Sequence, residues 1–210
     1  MSPRTPQQYK QIRNDKRELL KNTAMKLFAG KGYHATSISQ IAKEAGISKG
    51  LLYNYYESKE DLLVALFSDM VGLISSLLNP DDDNEITEKE MSEFFEKLLL
   101  SLDQKRESWI LFYQLSVQPV VLELMLSKIE NDALLVNYMK LLEKYFEERF
   151  DDPEEEFIFF SALTKGFFTI YLFNPESVSA SSREKFKARL NKLFMREKKR
   201  HHHEENKNQP

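Results

Sequence analysis

Between Ile38 and Tyr56 the chain reads ISQIAKEAGISKGLLYNYY, and the way this stretch bends decides the fold. Ile38, Ile41, Ala42 and Ala45 recur at i, i+3, i+4 and i+7, the spacing that gives a helix one buried side. Ala42 is small where a second helix must cross closely. Gly46 stands where the chain must reverse, a position that commonly needs a positive φ. Beyond the bend Ile47 and Leu52 turn inward, and Tyr56 follows Leu52 by one turn. With that side committed to the core, Lys49, Gly50, Tyr53 and Asn54 must face away. Two helices so joined form a helix-turn-helix, with Ser48 to Tyr56 as its recognition helix.

Working outward, the same periodicity covers the rest of the chain. Leu20, Ala24, Leu27 and Phe28 make one face of a preceding helix that stops at Gly30-Lys31-Gly32, a C-cap signal. Thr36 or Ser37 can cap the helix running to Ala45, and Ser58 caps a longer one ending near Asn79-Pro80. Further helices are predicted over about 87–105, 107–117, 119–150 (with a possible break near Asn131-Asp132), 153–173 and 182–199. No β-branched alternation is long enough for a sheet, and no repeat of fixed period occurs. The expectation is an all-α protein of about nine helices. Its parts are a helix-turn-helix domain at 1–60, a helical body at 61–200, and a flexible tail at 201–210.

The residue types on the free face suit a nucleic acid. Gly50 lets the backbone approach a duplex, while Tyr53 and Tyr55 offer rigid rings with hydroxyls for phosphate oxygens. Asn54 can donate to phosphate or read an adenine edge, Lys49 can reach phosphate or guanine, and Leu51 can meet a thymine methyl. Lys59 is placed to grip the backbone beside the amides of its own helix. Tyr56 reads as core. Charge agrees: residues 1–60 hold eleven Lys/Arg against five Asp/Glu, and residues 61–210 hold nineteen against twenty-eight, a basic head on an acidic body.

The order GKGYHATSISQIAKEAGISKGLLYNYYESKEDL, after a helix ending at Phe28, resembles the DNA-binding domain of TetR-family transcriptional regulators over about residues 16–67. The resemblance implies that Thr36 and Ser37 touch phosphates. It implies that Ser48, Lys49, Gly50, Leu51, Tyr53, Asn54 and Tyr55 line the groove, with Lys59 on the backbone. Asn54 stands where a histidine is frequent and Tyr56 where a phenylalanine is usual, so base preference does not carry over simply. It further implies a homodimer that acts as a repressor, binding operator DNA and released from it by a small-molecule effector.

In the body, Glu154 to Phe173 is apolar nearly all round, so this helix must be buried on two sides. Phe159, Leu163 and Ile170 on it, with Phe186, Leu190, Leu193 and Phe194 on the last helix, are the candidate dimer face. The nine Lys/Arg from Arg183 to Arg200 admit a second DNA contact, an anionic membrane surface or a solvated outer face, the last being favoured. Trp109, Phe112, Tyr113, Met125, Tyr138, Met139 and Tyr171 are the candidate pocket, a mixture suited to an apolar or aromatic effector, with ordinary core the favoured alternative for any one of them.

Other chemistry finds little footing. Cysteine is absent, and three of the four histidines are consecutive in the tail, His201 to His203, leaving His34 alone. No nucleophile–histidine site, nucleotide motif or metal site is predicted, and no cofactor. No apolar run approaches the ~18 residues of a membrane span, and the N-terminus has no signal-peptide core. The expectation is a cytoplasmic protein, not an enzyme and not membrane-bound. The rival reading is a dimeric small-molecule-binding or interaction protein whose helix-turn-helix no longer reads DNA.

Overall fold

The computed structural model describes residues 5–128 and 133–198. Among them are ten α-helices and no strand: α1 (Pro6–Lys31), α2 (Ile38–Glu44), α3 (Lys49–Tyr53), α4 (Lys59–Leu78), α5 (Glu88–Gln104), α6 (Arg106–Ser116), α7 (Pro119–Lys128), α8 (Ala133–Glu147), α9 (Pro153–Phe173) and α10 (Ala180–Phe194). The tenth arises because α7 and α8 are separate. Asn131 and Asp132, at the expected break, lie outside the described residues, as do His201 to His203 and the rest of the expected tail.

Local chemistry sets most of the ends. Thr5 and Gln8 form a capping box with Pro6 in the first turn of α1. Gly32 ends that helix at φ 90°, its N–H bonding Phe28 O at 3.0 Å. Ser37 and Ser48 cap α2 and α3, and Ser58 Oγ accepts from Asp61 N at 2.9 Å to start α4. Gly46 makes the predicted reversal at φ 66°. Two ends differ from expectation. α3 stops at Tyr53 rather than Tyr56, because Asn54 N–H turns back to Leu51 O and Tyr55 N–H to Leu52 O in a tightened last turn. α10 stops at Phe194 rather than Lys199. Its cations are better placed off the helix, where Arg196 lies 4.9 Å over the Phe150 ring and Lys198 pairs with Glu85 and Glu148.

The chain divides into two compact units. The first comprises Met1–Ser76 and Leu99–Tyr138. Its core gathers Leu20, Ala24 and Phe28 of α1, Ile41 and Ala42 of α2, Leu52 of α3 and Leu62, Leu63 and Leu66 of α4. Leu115 of α6 with Val121 and Met125 of α7 completes it. The first unit's core thus takes in α6 and α7, with α6 packed along α1. Lys21, nearly buried on α1, pairs with Asp69 of α4 and with Glu18. Burial works against its charge, but the bonds to the two carboxylates prevail and raise its pKa.

The second unit, Leu77–Leu98 and Met139–Pro210, is built round aromatic rings. Phe146 of α8 meets Phe150 at 5.3 Å, Phe160 of α9 at 5.5 Å and Phe194 of α10 at 6.1 Å. Tyr145 donates its hydroxyl to Phe194 O at 2.9 Å. Arg149, buried, bonds Tyr145 O and Ile86 O and stacks over the Tyr145 ring.

By length and composition both α4 and α9 could cross a membrane, which differs from the expectation that no run is long enough. On α4, Leu62, Leu63, Leu66, Phe67, Met70 and Val71 are buried in the first unit, as in an ordinary core helix. On α9, by contrast, Ile158, Phe159, Ile170 and Phe173 are 66, 50, 54 and 48 % exposed.

Candidate nucleic-acid interface

The free face of α3 exists because its other face is fixed. Leu52 is 0 % exposed and Tyr56 is 1 %, whereas Leu51 is 38 % and Tyr53 45 %. Lys49, Gly50 and Asn54 are exposed with them, and Tyr55 is half-buried. Lys49 lies one turn before Tyr53, its ammonium 5.9 Å from the ring centre, so cation and phenol share one surface. A Cβ added at Gly50 would meet nothing within 4 Å. The glycine is thus not required for packing, and the space it leaves belongs to whatever approaches α3 from outside.

Two serines flank this face. Ser37 Oγ accepts from Gln40 N at 3.2 Å and Ser48 Oγ from Leu51 N at 3.1 Å. Each hydroxyl keeps its own proton for an outside acceptor. Thr36 differs in kind from Ser37 beside it: it is buried, and its hydroxyl bonds Gly32 O at 2.9 Å and Leu27 O at 3.2 Å. This corrects the expectation of a phosphate contact there, since the donor is already used to close the turn after α1.

Lys59 is likewise turned inward. Its ammonium donates to Tyr33 O at 3.0 Å and Thr36 O at 3.1 Å and sits 4.3 Å over the Tyr33 ring. One of its three N–H groups remains for a phosphate, so it joins the α1–α2 turn to α4 before it can grip anything else. Burial, and then the charge of Glu60, push the Tyr33 phenol well up, so that the ring stays neutral beside this cation.

Two positioning residues had no signal in the sequence. Arg17 of α1 donates to Tyr55 O at 3.3 Å and lies 4.7 Å over the Tyr56 ring, holding the end of α3 against α1. Gln118, between α6 and α7, accepts from Tyr33 N at 2.9 Å and donates to Phe28 O at 3.0 Å. Both reach backbone groups distant along the chain, which periodicity cannot reveal.

The expected pocket residues are dispersed. Trp109 and Phe112 of α6 meet edge to face, Phe112 packs on Phe67 at 5.0 Å, and Met125 is in the core of the first unit. Tyr113 and Tyr138 are half-buried there. Tyr171, in the second unit, packs beside Phe167 and receives a bond from Arg183. Met139 borders a cavity of about 270 Å³ in the second unit, also lined by Glu143, Phe146, Glu147, Pro153, Glu154 and Phe157. Of the expected dimer residues, Phe159, Ile170 and Leu193 are exposed and Leu163 is half-buried. Phe186 is stacked on Phe167 at 3.8 Å. Leu190 and Phe194 lie inside the second unit's own core, with no surface left for another chain. Lys187 of α10 pairs with Glu96 at 2.8 Å, so some of the late cations are used within the unit.

Residues 20–66 match the family model described as "Bacterial regulatory proteins, tetR family". The chain is 31 % identical over 151 residues to the uncharacterized HTH-type transcriptional regulator YerO of Bacillus subtilis, covering 63 % of this chain and 50 % of that one. It is 36 % identical over 69 residues to the fatty acid metabolism regulator protein of the same organism, covering 33 % of this chain and 36 % of that one. The chain thus spans about half the length, or less, of these relatives. In fold it is similar to a TetR family transcription regulator from Marinobacter aquaeolei VT8, with TM-score 0.63, 19 % identity, and 90 % of this chain and 100 % of that one covered. It is also similar to NalD, the secondary repressor of the MexAB-OprM multidrug efflux pump in Pseudomonas aeruginosa, with TM-score 0.61, 19 % identity, and 86 % and 94 % covered.

Proposed function

We propose that this chain, whose residues 20–66 form a DNA-binding region of the bacterial tetR family, is a homodimeric, sequence-specific transcriptional regulator that represses from an operator and leaves it when a small apolar effector binds. The observation that carries the reading is the divided character of α3: Leu52 is sealed in the core while Lys49, Gly50, Leu51, Tyr53 and Asn54 stand free on the opposite side. Asn54 and Leu51 read base edges, Lys49 and the hydroxyls of Ser37, Ser48, Tyr53 and Tyr55 hold phosphates, and Lys59 offers its remaining N–H. Thr36 serves the turn.

Dimerisation is supported by α9, whose Ile158, Phe159, Ile170 and Phe173 are all exposed, an apolar face of the kind that marks an interaction surface. An isologous pair through this face presents two recognition helices to half-sites about 34–36 Å apart or a multiple of that. Control is by differential binding: the effector stabilises the state with lower DNA affinity. Such a protein acts in the cytoplasm, where the chromosome is, and does so by binding rather than by chemistry. The parts at 1–60, for DNA, and 61–200, for effector and dimer, are divided by role and not by compact unit, since α4, α6 and α7 share the core of the first unit.

Selection of duplexes from a random pool by the intact protein tests the proposal. A shared two-fold symmetric site, bound with a steep inverse dependence on salt, is the expected result. Recovery of no common sequence, with weak binding to all duplexes alike, would leave a helix-turn-helix that does not read DNA.

A further inference from the structure

The first half of α1 has no place in the core. Every residue from Thr5 to Asp15 is exposed, and packing begins in earnest only at Leu20, where the family match also begins. Pro6 to Lys16 therefore projects as an overhang of about 16 Å, at 1.5 Å per residue. An isolated helix of this length is marginal in water. Yet its start is specified in detail, by a Thr5–Gln8 capping box and Pro6, and a Gln11–Asp15 bond of 2.7 Å braces it.

Its charge is arranged on one side. At 100° per residue, Tyr9, Lys10, Arg13, Lys16 and Arg17 lie on the continuation of the face that buries Leu20 and Ala24 further along. Where hydrophobic contact stops, cations begin. Among the described residues Lys10, Arg13 and Lys16 have no carboxylate partner. Arg17 marks the junction and fixes the direction: its bond to Tyr55 O lays α1 beside the C-terminal end of α3. The cationic stripe thus runs on from the edge of the surface formed by Tyr53, Asn54 and Tyr55.

We propose that the overhang of α1 is a second DNA contact, in which Lys10, Arg13 and Lys16 bind backbone phosphates flanking the groove that α3 enters. The inference rests on α3 being a DNA-reading helix and extends the site outward. At 3.4 Å per base pair the overhang runs along about five base-pair steps. It touches phosphate alone, so it raises affinity for all sequences and lengthens the footprint without altering base preference.

The test uses the full chain and a random-sequence duplex pool. Wild type and the variant Lys10→Ala/Arg13→Ala/Lys16→Ala are compared for salt dependence and for hydroxyl-radical footprint on the selected and on a scrambled duplex. Alanine keeps the helix, which circular dichroism checks. The slope of log affinity against log salt is expected to flatten by about 0.9 for each phosphate no longer neutralised, or about 2.7 per protomer. The footprint should shorten at its outer edges while the selected sequence stays the same. Lys10→Arg/Lys16→Arg should behave as wild type. An unchanged slope and footprint in the triple variant, with wild-type selection intact, overturns the role of the overhang alone. A change in oligomeric state with an unchanged slope does the same and assigns the stripe to protein. Failure of wild type to select any duplex defeats the reading of α3 instead.

Discussion

At the scale of single residues, what separates a DNA-binding side chain from a structural one is where its polar atoms already go. Gly50 has open space around the position a Cβ would take. Gly50→Ala should therefore leave thermal stability unchanged or raise it by about 0.5–1 kcal/mol through helix propensity, while weakening DNA binding. A loss of both would make the glycine a packing residue. Thr36→Val should do the reverse: the one hydroxyl proton shared by Gly32 O and Leu27 O vanishes, lowering stability by about 1–3 kcal/mol, with DNA affinity at low temperature kept. Equilibrium denaturation beside fluorescence anisotropy distinguishes the two. Tyr145 supplies a pH signature for the second unit. Burial pushes its phenol up to about 12 from 10.0. A neutral form favoured by folding contributes stability that is complete below pH 10 and is lost as pH rises through about 12. Unfolding free energy should fall across that window, and Tyr145→Phe should remove that part of the fall.

At the scale of elements, the junction of α6 and α7 holds the turn after α1 through one side chain. Gln118 ties Tyr33 N and Phe28 O together; its removal takes away the partner of Tyr33 N–H, while Phe28 O keeps its bond from Gly32 N. Gln118→Ala should cost about 1–3 kcal/mol, and amide exchange should quicken at Tyr33 before it quickens in α4. Uniform exchange across both would show that the bridge fixes nothing locally. The face of α9 is tested by Ile158→Glu/Phe159→Glu, which should convert a dimer to monomers in light scattering without loss of helicity, because neither residue is in the unit's core. Helix starts and stops were largely legible, since Ser37, Ser48, Ser58, Gly32 and Gly46 act through their nearest neighbours. The end of α10 was not: what draws Arg196 and Lys198 out of the helix is Phe150, Glu85 and Glu148, all distant in sequence.

Across the molecule the same division holds. The all-α class and the inward and outward faces of the helix-turn-helix follow from apolar spacing, which an amphipathic helix imposes on its own residues. Which residues line a cavity or remain exposed depends on what other helices cover, and there spacing misleads. Leu190 and Phe194 look like an outer stripe, yet both are buried, and Phe160 and Phe146 close over Phe194. Arg17 and Gln118, which set the pose of α3 and of the turn beside it, act on backbone carbonyls and amides and leave no pattern to read. The claim on which the whole account depends is that the exposed side of α3 reads bases. It is tested most directly by repeating duplex selection with Leu51→Ala and Asn54→Ala. Each should relax or shift preference at one position per half-site, by about 1–3 kcal/mol of discrimination, with the fold intact by circular dichroism. Recovery of the wild-type sequence, at wild-type affinity, by both variants would contradict it.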